Sequence, residues 1–111
     1  MDLHQMKRAA AEFQTPFYVF DTDELCAKVE KIKTALQGRA KVCYAMKANP
    51  FLIDRILPVV DALEVCSPGE FAICERSEIP AGKIVLSGVY KKAADIRSVL
   101  ESYGGDPVYT V

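Results

Sequence analysis

The sequence has few of the features that mark membrane, metal-binding and nucleic-acid-binding proteins. It contains a single histidine, and its four cysteines have no Cys-x-x-Cys spacing, so the usual zinc-binding pattern is missing. No apolar run is long enough to cross a bilayer, and the first dozen residues are too polar for a signal peptide. Acidic and basic residues are interspersed at a formal net charge of −1, which indicates neither a nucleic acid nor a membrane partner. These absences predict a cytoplasmic protein.

Hydrophobic residues, by contrast, are abundant. They make up 50% of the 111 residues, which is enough for a domain of ordinary size to build one core. The cysteines fall inside periodic segments rather than in loops, at Cys26, Cys43, Cys66 and Cys74. We therefore expect reduced, mostly buried thiols rather than disulfides or a metal site.

The first third of the chain predicts a helix, a strand and a second helix. Residues 2–13 form an amphipathic segment, and TPFYVF at 15–20 is typical of a strand. Asp21 resembles a helix N-cap, with Glu24 three residues later in the position of a capping box. Apolar residues then recur at helical spacing as far as Gly38, which is placed to end the helix.

The rest of the chain repeats one plan, a short apolar strand followed by a helix. The predicted strands are KVCYAM, ALEVC, KIVLSG and PVYTV, at residues 41–46, 62–66, 83–88 and 107–111. Asn49-Pro50 and Ser67-Pro68 have the cap-and-proline pattern that opens a helix. Alternating strands and helices predict right-handed βαβ units and a parallel sheet.

This pattern predicts an α/β fold that forms part of a (β/α)8 TIM barrel. A repeat of about 20 residues suits that barrel, and the chain supplies the first three βα units and the start of a fourth strand. A strand with nothing after it leaves one edge of a sheet uncovered. We therefore expect the chain to be a fragment of a longer protein.

A lysine ends the apolar strand in the stretch VCYAMKANP at 42–50. Strand alternation places Cys43, Ala45 and Lys47 on one face, and parallel barrels carry their active sites at the carboxyl ends of the strands. The two small residues leave room beside Lys47 for a planar ligand, and a lysine amine can form a Schiff base with a carbonyl cofactor. Spacing alone favours the simpler explanation that Lys47 marks where the strand emerges into water.

Four motifs narrow these alternatives. In chain order they are TPFYVFD, YAMKANP, LEVCSPGE and KIVLSGVYK. They resemble, respectively, Thr-Pro-Phe-Tyr-Val-Tyr-Asp, Tyr-Ala-Val-Lys-Ala-Asn-Pro, Phe-Asp-Val-Val-Ser-Gly-Gly-Glu and a segment ending in Gly-x-x-Lys. These are landmarks of the fold-type III pyridoxal-phosphate decarboxylases, the family of diaminopimelate, ornithine and arginine decarboxylases. The resemblance extends from about residue 15 to residue 111.

The resemblance implies a site around Lys47, which would be the catalytic residue and carry pyridoxal 5'-phosphate as a Schiff base. It places Ala45, Glu64, Ser67 and Glu70 around the cofactor. Ser67 and Glu70 fit a capping box equally well, and the two roles are compatible. Glu64 stands where the family usually has aspartate, which puts a contact with Lys47 in question.

The same resemblance places much of the family's active site downstream of this chain. Those parts are a ring-stacking histidine, a glycine-rich phosphate loop, an acidic partner for the pyridine nitrogen, and a β-domain with a catalytic cysteine and tyrosine. His4 precedes the matched region and is expected at the surface. Residues 1–21 are expected to associate with the β-domain, and residues 22–111 to form the truncated barrel. The 111 residues alone are therefore expected to lack decarboxylase activity.

The implied function is that of a diaminopimelate decarboxylase, which converts meso-diaminopimelate to lysine and carbon dioxide in lysine biosynthesis. The full-length protein would then be a homodimer that binds a small amino-acid substrate. Ornithine, arginine and carboxynorspermidine decarboxylases are alternatives, as is a non-catalytic relative that binds pyridoxal phosphate. Alanine racemases are a further alternative, although they usually continue Lys-Ala-Asn-Ala-Tyr-Gly where this chain reads KANPFL.

Overall fold

Four short strands form one parallel sheet. The computed structural model describes residues 1–89 and 92–110. The strands pair in sequence order and are β1 (Cys43–Ala45), β2 (Ala62–Val65), β3 (Ile84–Leu86) and β4 (Val108–Tyr109). The predicted α/β fold and its parallel sheet are thus confirmed, with three strand-to-helix units followed by a fourth strand.

Five α-helices lie within the described part of the chain. They are α1 (Leu3–Glu12), α2 (Thr22–Leu36), α3 (Ile53–Ile56), α4 (Pro68–Arg76) and α5 (Ala93–Tyr103). The predicted cap of α2 is present, since the Asp21 carboxylate accepts a hydrogen bond from the Glu24 N–H at 3.0 Å. The helix ends at Gln37 and Gly38, which adopt φ values of 51° and 74°. The predicted end of α2 at Gly38 therefore lies within one residue of the observed C-cap, Gln37.

The third helix is shorter than its apolar pattern suggested. The chain first makes a 3-10 turn over Pro50–Leu52 and then a single α-helical turn, α3. Pro58 explains the early end: Leu57 keeps helical backbone angles, but proline has no N–H to donate to the carbonyl oxygen of Asp54. The apolar residues after α3 still reach the core, since Val60 is buried.

All the buried residues of the sheet face the helices. Leu63 pairs in register with Ile84, and Val65 with Leu86, so these four side chains leave the same face of the sheet. They pack with Val29 of α2, Ile53 and Ile56 of α3, Phe71 and Cys74 of α4, and Val99 of α5. The chain therefore has one hydrophobic core on one side of its sheet.

The opposite face of the sheet is open. Ala45, Glu64, Val85 and Val108 follow one another across the four strands, and none of them is buried. Cys43, two residues before Ala45, is exposed on this same face. This arrangement confirms the predicted alternation of β1 and leaves its small residues accessible.

The cysteine prediction is wrong in one respect. All four cysteines are free thiols, but Cys74 alone among them is buried. Cys43 is exposed because it lies on the uncovered face of the sheet, where no helix packs. Periodicity located the cysteines in strands and helices but did not show which face of each element is covered.

The predicted strand at residues 15–20 is also wrong. These residues belong to no β-ladder, and Tyr18 and Phe20 are exposed. A strand needs a neighbour to satisfy its N–H and C=O groups, and none of the four strands takes that position.

Within the described residues, no helix is both long and apolar enough to cross a bilayer.

An aspartate fastens α2 to the amino-terminal edge of the sheet. Asp61 accepts a hydrogen bond from the Val42 N–H at 2.7 Å and pairs with Lys33 of α2 at 3.3 Å. The Lys33 amine also donates to the carbonyl oxygen of Val59 at 3.2 Å. This cluster lies at the end of the strands away from Lys47, so its role is to stabilise the fold.

Asp61→Asn is expected to destabilise the chain near neutral pH and to matter less in acid. The Val42 N–H and then the Lys33 amine hold the pKa of Asp61 below its usual value, which is about 3.9 in an unfolded chain. The ionised carboxylate thus stabilises the fold above about pH 4, and the contribution is lost as pH falls through the lower, folded-state pKa. Urea unfolding across this pH range should show the gap between the two proteins narrowing in acid. Asp54→Asn, at an exposed position of α3, is the matched control, and a gap that stays constant would contradict the prediction.

Candidate active site

Lys47 lies at the carboxyl edge of the sheet on its open side. The chain leaves β1 and enters a 3-10 turn over Met46–Ala48. Met46 is fully buried in the core, whereas Lys47 is exposed. The two neighbours therefore point to opposite sides, as the strand pattern predicted.

Asn49 holds the turn that follows Lys47. Its side-chain oxygen accepts a hydrogen bond from the Phe51 N–H at 3.1 Å, and its carbonyl oxygen accepts one from the Tyr44 hydroxyl at 3.0 Å. Pro50 occupies the first position of the next 3-10 turn, as predicted, where its missing N–H leaves no partner unsatisfied. Lys47 is therefore positioned by β1 on one side and by the Asn49 cap on the other.

Cys66 is the neighbour of Lys47 on the next strand. Its sulfur lies 4.0 Å from the Lys47 amine nitrogen. Ala45 pairs in register with Glu64. Lys47 follows Ala45 by two residues, and Cys66 follows Glu64 by two residues. Lys47 and Cys66 thus lie just beyond the ends of their strands, β1 and β2, and their side chains meet there.

Glu64 is linked to the third strand rather than to Lys47. Its Oε1 accepts a hydrogen bond from the Ser87 hydroxyl at 2.8 Å, and Ser87 directly follows β3. Among the described residues, no hydrogen bond or ion pair joins Glu64 to Lys47. A carboxylate and a hydroxyl thus form a fixed polar pair on the open face, one strand away from Lys47.

The start of α4 departs from a standard capping box. The Ser67 hydroxyl accepts a hydrogen bond from the Glu70 N–H at 3.3 Å, and Pro68 is the first helical residue, both as predicted. The Glu70 carboxylate, however, accepts from the N–H of Cys66 at 2.7 Å, whereas a capping box would require the N–H of Ser67. Cys66 directly follows the last residue of β2, so this hydrogen bond joins α4 to the end of the strand.

Gly88 lets the ends of β2 and β3 approach closely. It has φ +82°, and an added Cβ would lie 3.1 Å from the Cβ and 3.2 Å from the carbonyl oxygen of Cys66. A side chain here would meet both backbone strain and a collision with the residue beside Lys47. The close approach therefore fixes one side of Cys66.

Gly88→Ala is expected to destabilise the fold more than Gly38→Ala. Both glycines have a positive φ, but an added Cβ at Gly38 meets nothing within 4 Å. The strained backbone alone costs about 1–2 kcal/mol, and the contact with Cys66 adds to that cost at Gly88 only. Denaturant midpoints of the two variants would measure the difference. Equal midpoints would show that the strand ends can separate without cost.

Two of the other cysteines have raised thiol pKa values. Burial raises the pKa of Cys74 to about 11, and burial followed by the Glu64 charge raises that of Cys43. The Cys26 sulfur donates to the carbonyl oxygen of Arg55 at 3.5 Å. Since the thiolate is the reactive form, the raised pKa values make Cys74 and Cys43 poor nucleophiles.

The structure brings most of the predicted site residues to one edge of the sheet. They are Lys47, Ala45 and Glu64 on the open side, with Ser67 and Glu70 at the start of α4. Cys66 and Ser87 were not predicted to lie at the site, although alternation from Glu64 and the end of β3 indicate both. Lys91, in the fourth motif, lies outside the described residues. Exposed His4 stands in α1, as expected.

A cavity of about 180 Å³ lies on the helical side of the sheet, between α4 and α5. Part of its wall is the edge-to-face contact of Phe71 with Tyr103, whose ring centroids are 5.6 Å apart. Lys47 and Glu64 do not line this cavity, but it is also lined by three residues at the ends of β2 and β3, namely Cys66, Ser67 and Ser87. The cavity therefore adjoins the candidate active site from the helical side, and the site itself is the open carboxyl edge of the sheet.

Comparison with known proteins assigns the chain to a family. Residues 22–105 match the family described as "Pyridoxal-dependent decarboxylase, pyridoxal binding domain". The chain belongs to the pyridoxal-dependent decarboxylase family. The family assignment confirms the resemblance carried by the four motifs and gives pyridoxal phosphate as the cofactor of the group.

The relatives of this decarboxylase-family chain are much longer than the chain itself. It is 33% identical to diaminopimelate decarboxylase of Mycobacterium leprae over 84% of its own length and 20% of that enzyme. The corresponding enzyme of Deinococcus radiodurans is 34% identical over 83% of this chain and 24% of the relative. The enzyme of Campylobacter jejuni is 32% identical over 91% of this chain and 25% of the relative. The chain therefore spans about a quarter or less of the length of these relatives.

A solved structure shares the fold of this decarboxylase-family chain. It is the crystal structure of lysine decarboxylase from Selenomonas ruminantium, with a TM-score of 0.76 and 23% sequence identity. The match covers 94% of this chain and 28% of that one. This likeness supports the arrangement of strands and helices, and it carries no information on the substrate.

Proposed function

We propose that this chain is the first part of the cofactor-binding barrel of a pyridoxal-phosphate-dependent amino-acid decarboxylase of the diaminopimelate type, with Lys47 holding the cofactor. The observation that carries the proposal is the position of the Lys47 amine at the carboxyl edge of the open sheet face. Parallel barrels build their active sites at this edge. The match of residues 22–105 to the pyridoxal-binding family supplies the chemistry.

The winding of the sheet supports a barrel. The strand order is sequential and every pair is parallel, so successive right-handed crossovers place their helices on one side. Further strands would curl such a sheet around its open face, which then becomes the barrel interior. We place residues 22–111 in the barrel and residues 1–21 outside it, because α1 buries no residue and residues 15–20 join no ladder.

The residues around Lys47 suit a flat cofactor. The amine is exposed, and three of the four paired positions of β1 and β2 on the open face carry small side chains, the fourth being Glu64. The three are Cys43, Ala45 and Ala62. Side chains of this size leave a shallow surface over which a ring can lie. When bound, pyridoxal phosphate supplies an electron sink that permits loss of the substrate carboxylate.

The chain's own side chains have simpler tasks in this proposal. Lys47 would hold the cofactor through its side-chain nitrogen, and the same amine would hold a proton at this edge when it is not bonded to the cofactor. The Glu64 carboxylate, held by Ser87, supplies a negative charge one strand away. Glu70 and Ser67 keep the end of β2 and the start of α4 in place beside the site.

The substrate class follows from the relatives rather than from the geometry. The curated relatives are diaminopimelate decarboxylases, so we propose a small amino acid as substrate. A homodimer for the full-length protein is a separate proposal that rests on the motif resemblance. Four free thiols fit a reducing compartment such as the cytoplasm.

Borohydride reduction tests the cofactor site. The full-length protein would be loaded with pyridoxal phosphate, reduced and digested, and the peptides would be analysed by mass spectrometry. A pyridoxyl group is expected on Lys47, because a lysine at the strand end reaches the site. Lys41→Ala, which removes an exposed lysine before β1, should leave the label in place. A label on any other lysine would overturn the assignment.

A further inference from the structure

The pair formed by Lys47 and Cys66 has a chemistry that the decarboxylase proposal does not use. A primary amine and a thiol lie 4.0 Å apart, just beyond the carboxyl ends of the neighbouring strands β1 and β2. Lys47 is exposed and Cys66 is partly exposed, so small oxidants in solution reach both. The four-carbon stem of lysine can close the remaining gap by side-chain rotation.

Cys66 has little freedom to move away from the amine. Its N–H is bound by the Glu70 carboxylate at 2.7 Å. The backbone of Gly88 lies against its other side, close enough that one added methyl group would collide with its Cβ. The backbone that carries the thiol is therefore held in position before any reaction takes place.

The other cysteines lack this combination. Burial and the Glu64 charge raise the thiol pKa of Cys43, and burial raises that of Cys74, so both are held largely as thiols. The Cys26 sulfur contacts a carbonyl oxygen, which cannot act as a nucleophile toward sulfur. Among the four, the thiol with a lysine amine as its hydrogen-bonding neighbour is Cys66.

We propose that Cys66 and Lys47 form an oxidative modification site, at which a hydroperoxide converts the pair into a reversible sulfenamide cross-link. In the first step the Cys66 thiolate attacks the hydroperoxide, so that an S–O bond forms and the O–O bond breaks. The sulfur is oxidised to sulfenic acid and the hydroperoxide is reduced to hydroxide or an alcohol. In the second step the neutral Lys47 amine attacks this sulfur, an S–N bond forms, and the S–O oxygen leaves with the amine proton as water.

A consequence of the cross-link rests on the proposed function. The nitrogen bound to Cys66 is the one that would hold pyridoxal phosphate, so cross-linked protein does not take up the cofactor covalently. A thiol such as dithiothreitol attacks the cross-linked sulfur, breaks the S–N bond and restores the amine. Cofactor already on Lys47 occupies the same nitrogen and protects the pair.

Peptide mapping of the full-length protein tests the site directly. Cofactor-free protein would be treated with hydrogen peroxide and digested with and without dithiothreitol. We expect the peptides of Lys47 and Cys66 to be joined, with a mass about 2 Da below their sum, and to separate after dithiothreitol. The joined species should be absent from Cys66→Ser and present in Cys43→Ser, the matched change at the exposed cysteine of β1. Oxidation of Cys66 to sulfinic acid with no joined peptide would overturn the proposal.

Borohydride labelling of the same samples separates this proposal from the function. Peroxide treatment before cofactor addition should reduce labelling of Lys47 in proportion to the joined peptide, and should not reduce it in Cys66→Ser. If untreated protein is labelled on another lysine, the proposed function fails while the cross-link still stands. If Lys47 is labelled equally before and after peroxide and no joined peptide forms, the cross-link fails while the function stands.

Discussion

Lys47→Ala in the full-length protein is expected to reduce decarboxylation by roughly three orders of magnitude or more, the scale on which a residue that bonds covalently or moves protons acts. The lysine lies on the exposed edge and makes no ion pair with Glu64 or Glu70 among the described residues. Its removal should therefore leave the fold intact while it removes the point of attachment. The measurement is carbon dioxide release from meso-diaminopimelate at saturating pyridoxal phosphate, with circular dichroism to check folding.

Lys41→Ala is the control for charge and for the general effect of losing a lysine. Lys41 is also exposed and lies just before β1, at the end of the strand opposite Lys47. It should retain activity close to that of the unmodified protein. If Lys47→Ala also retained that activity, the amine would have no role in the reaction. A full-length protein that is labelled on Lys47 yet releases no carbon dioxide from diaminopimelate, ornithine, arginine or carboxynorspermidine would instead be the non-catalytic relative.

Leu63→Ala is expected to cost about 2–5 kcal/mol of folding free energy, the usual range for deleting a fully buried leucine. Leu63 lies in β2 between two neighbouring strands, pairs in register with Ile84, and is 0% exposed. The other face of the sheet is open, so the core on this face carries the stability of the sheet. Since small domains have about 5–15 kcal/mol in total, the loss is a large share. Urea unfolding of the two proteins would measure it.

Leu100→Ala provides the same chemical change at a surface position. Leu100 is on α5 and is 46% exposed, so its truncation should cost about 1 kcal/mol or less. A comparable loss in both variants would mean that the covered face of the sheet is not the main source of stability. The difference in unfolding free energy between the two variants is the quantity to compare. Both variants make the same leucine-to-alanine change, so its effect on the unfolded chain cancels in that difference.

Local sequence features predicted the parts of the structure that depend on nearby residues. Asp21 and Ser67 cap their helices, and Asn49 with Pro50 opens the turn after β1, because each motif needs partners only a few residues away. Alternation likewise placed Lys47 opposite Met46. These features follow from backbone geometry and hold without knowledge of the rest of the molecule.

The predictions that failed depended on distant partners. TPFYVF has the composition of a strand, but a strand forms only where a neighbour accepts its hydrogen bonds. Cys43 has the pattern of a buried residue, yet the face on which it lies has no covering layer. Glu70 was expected to close a box on Ser67 and instead binds the N–H of Cys66, because the end of β2 presents that group at the start of α4.

The sequence by itself determined the order of strands and helices, the position of Lys47 at a strand end and, through four motifs, the family. These properties depend on residue type and spacing along the chain. Only the tertiary structure showed that the helices cover one face, that Glu64 is tied to Ser87 and that Cys66 lies beside Lys47. Such contacts join residues 19 to 23 positions apart, and they are set by strand register, which the pairing of whole strands decides.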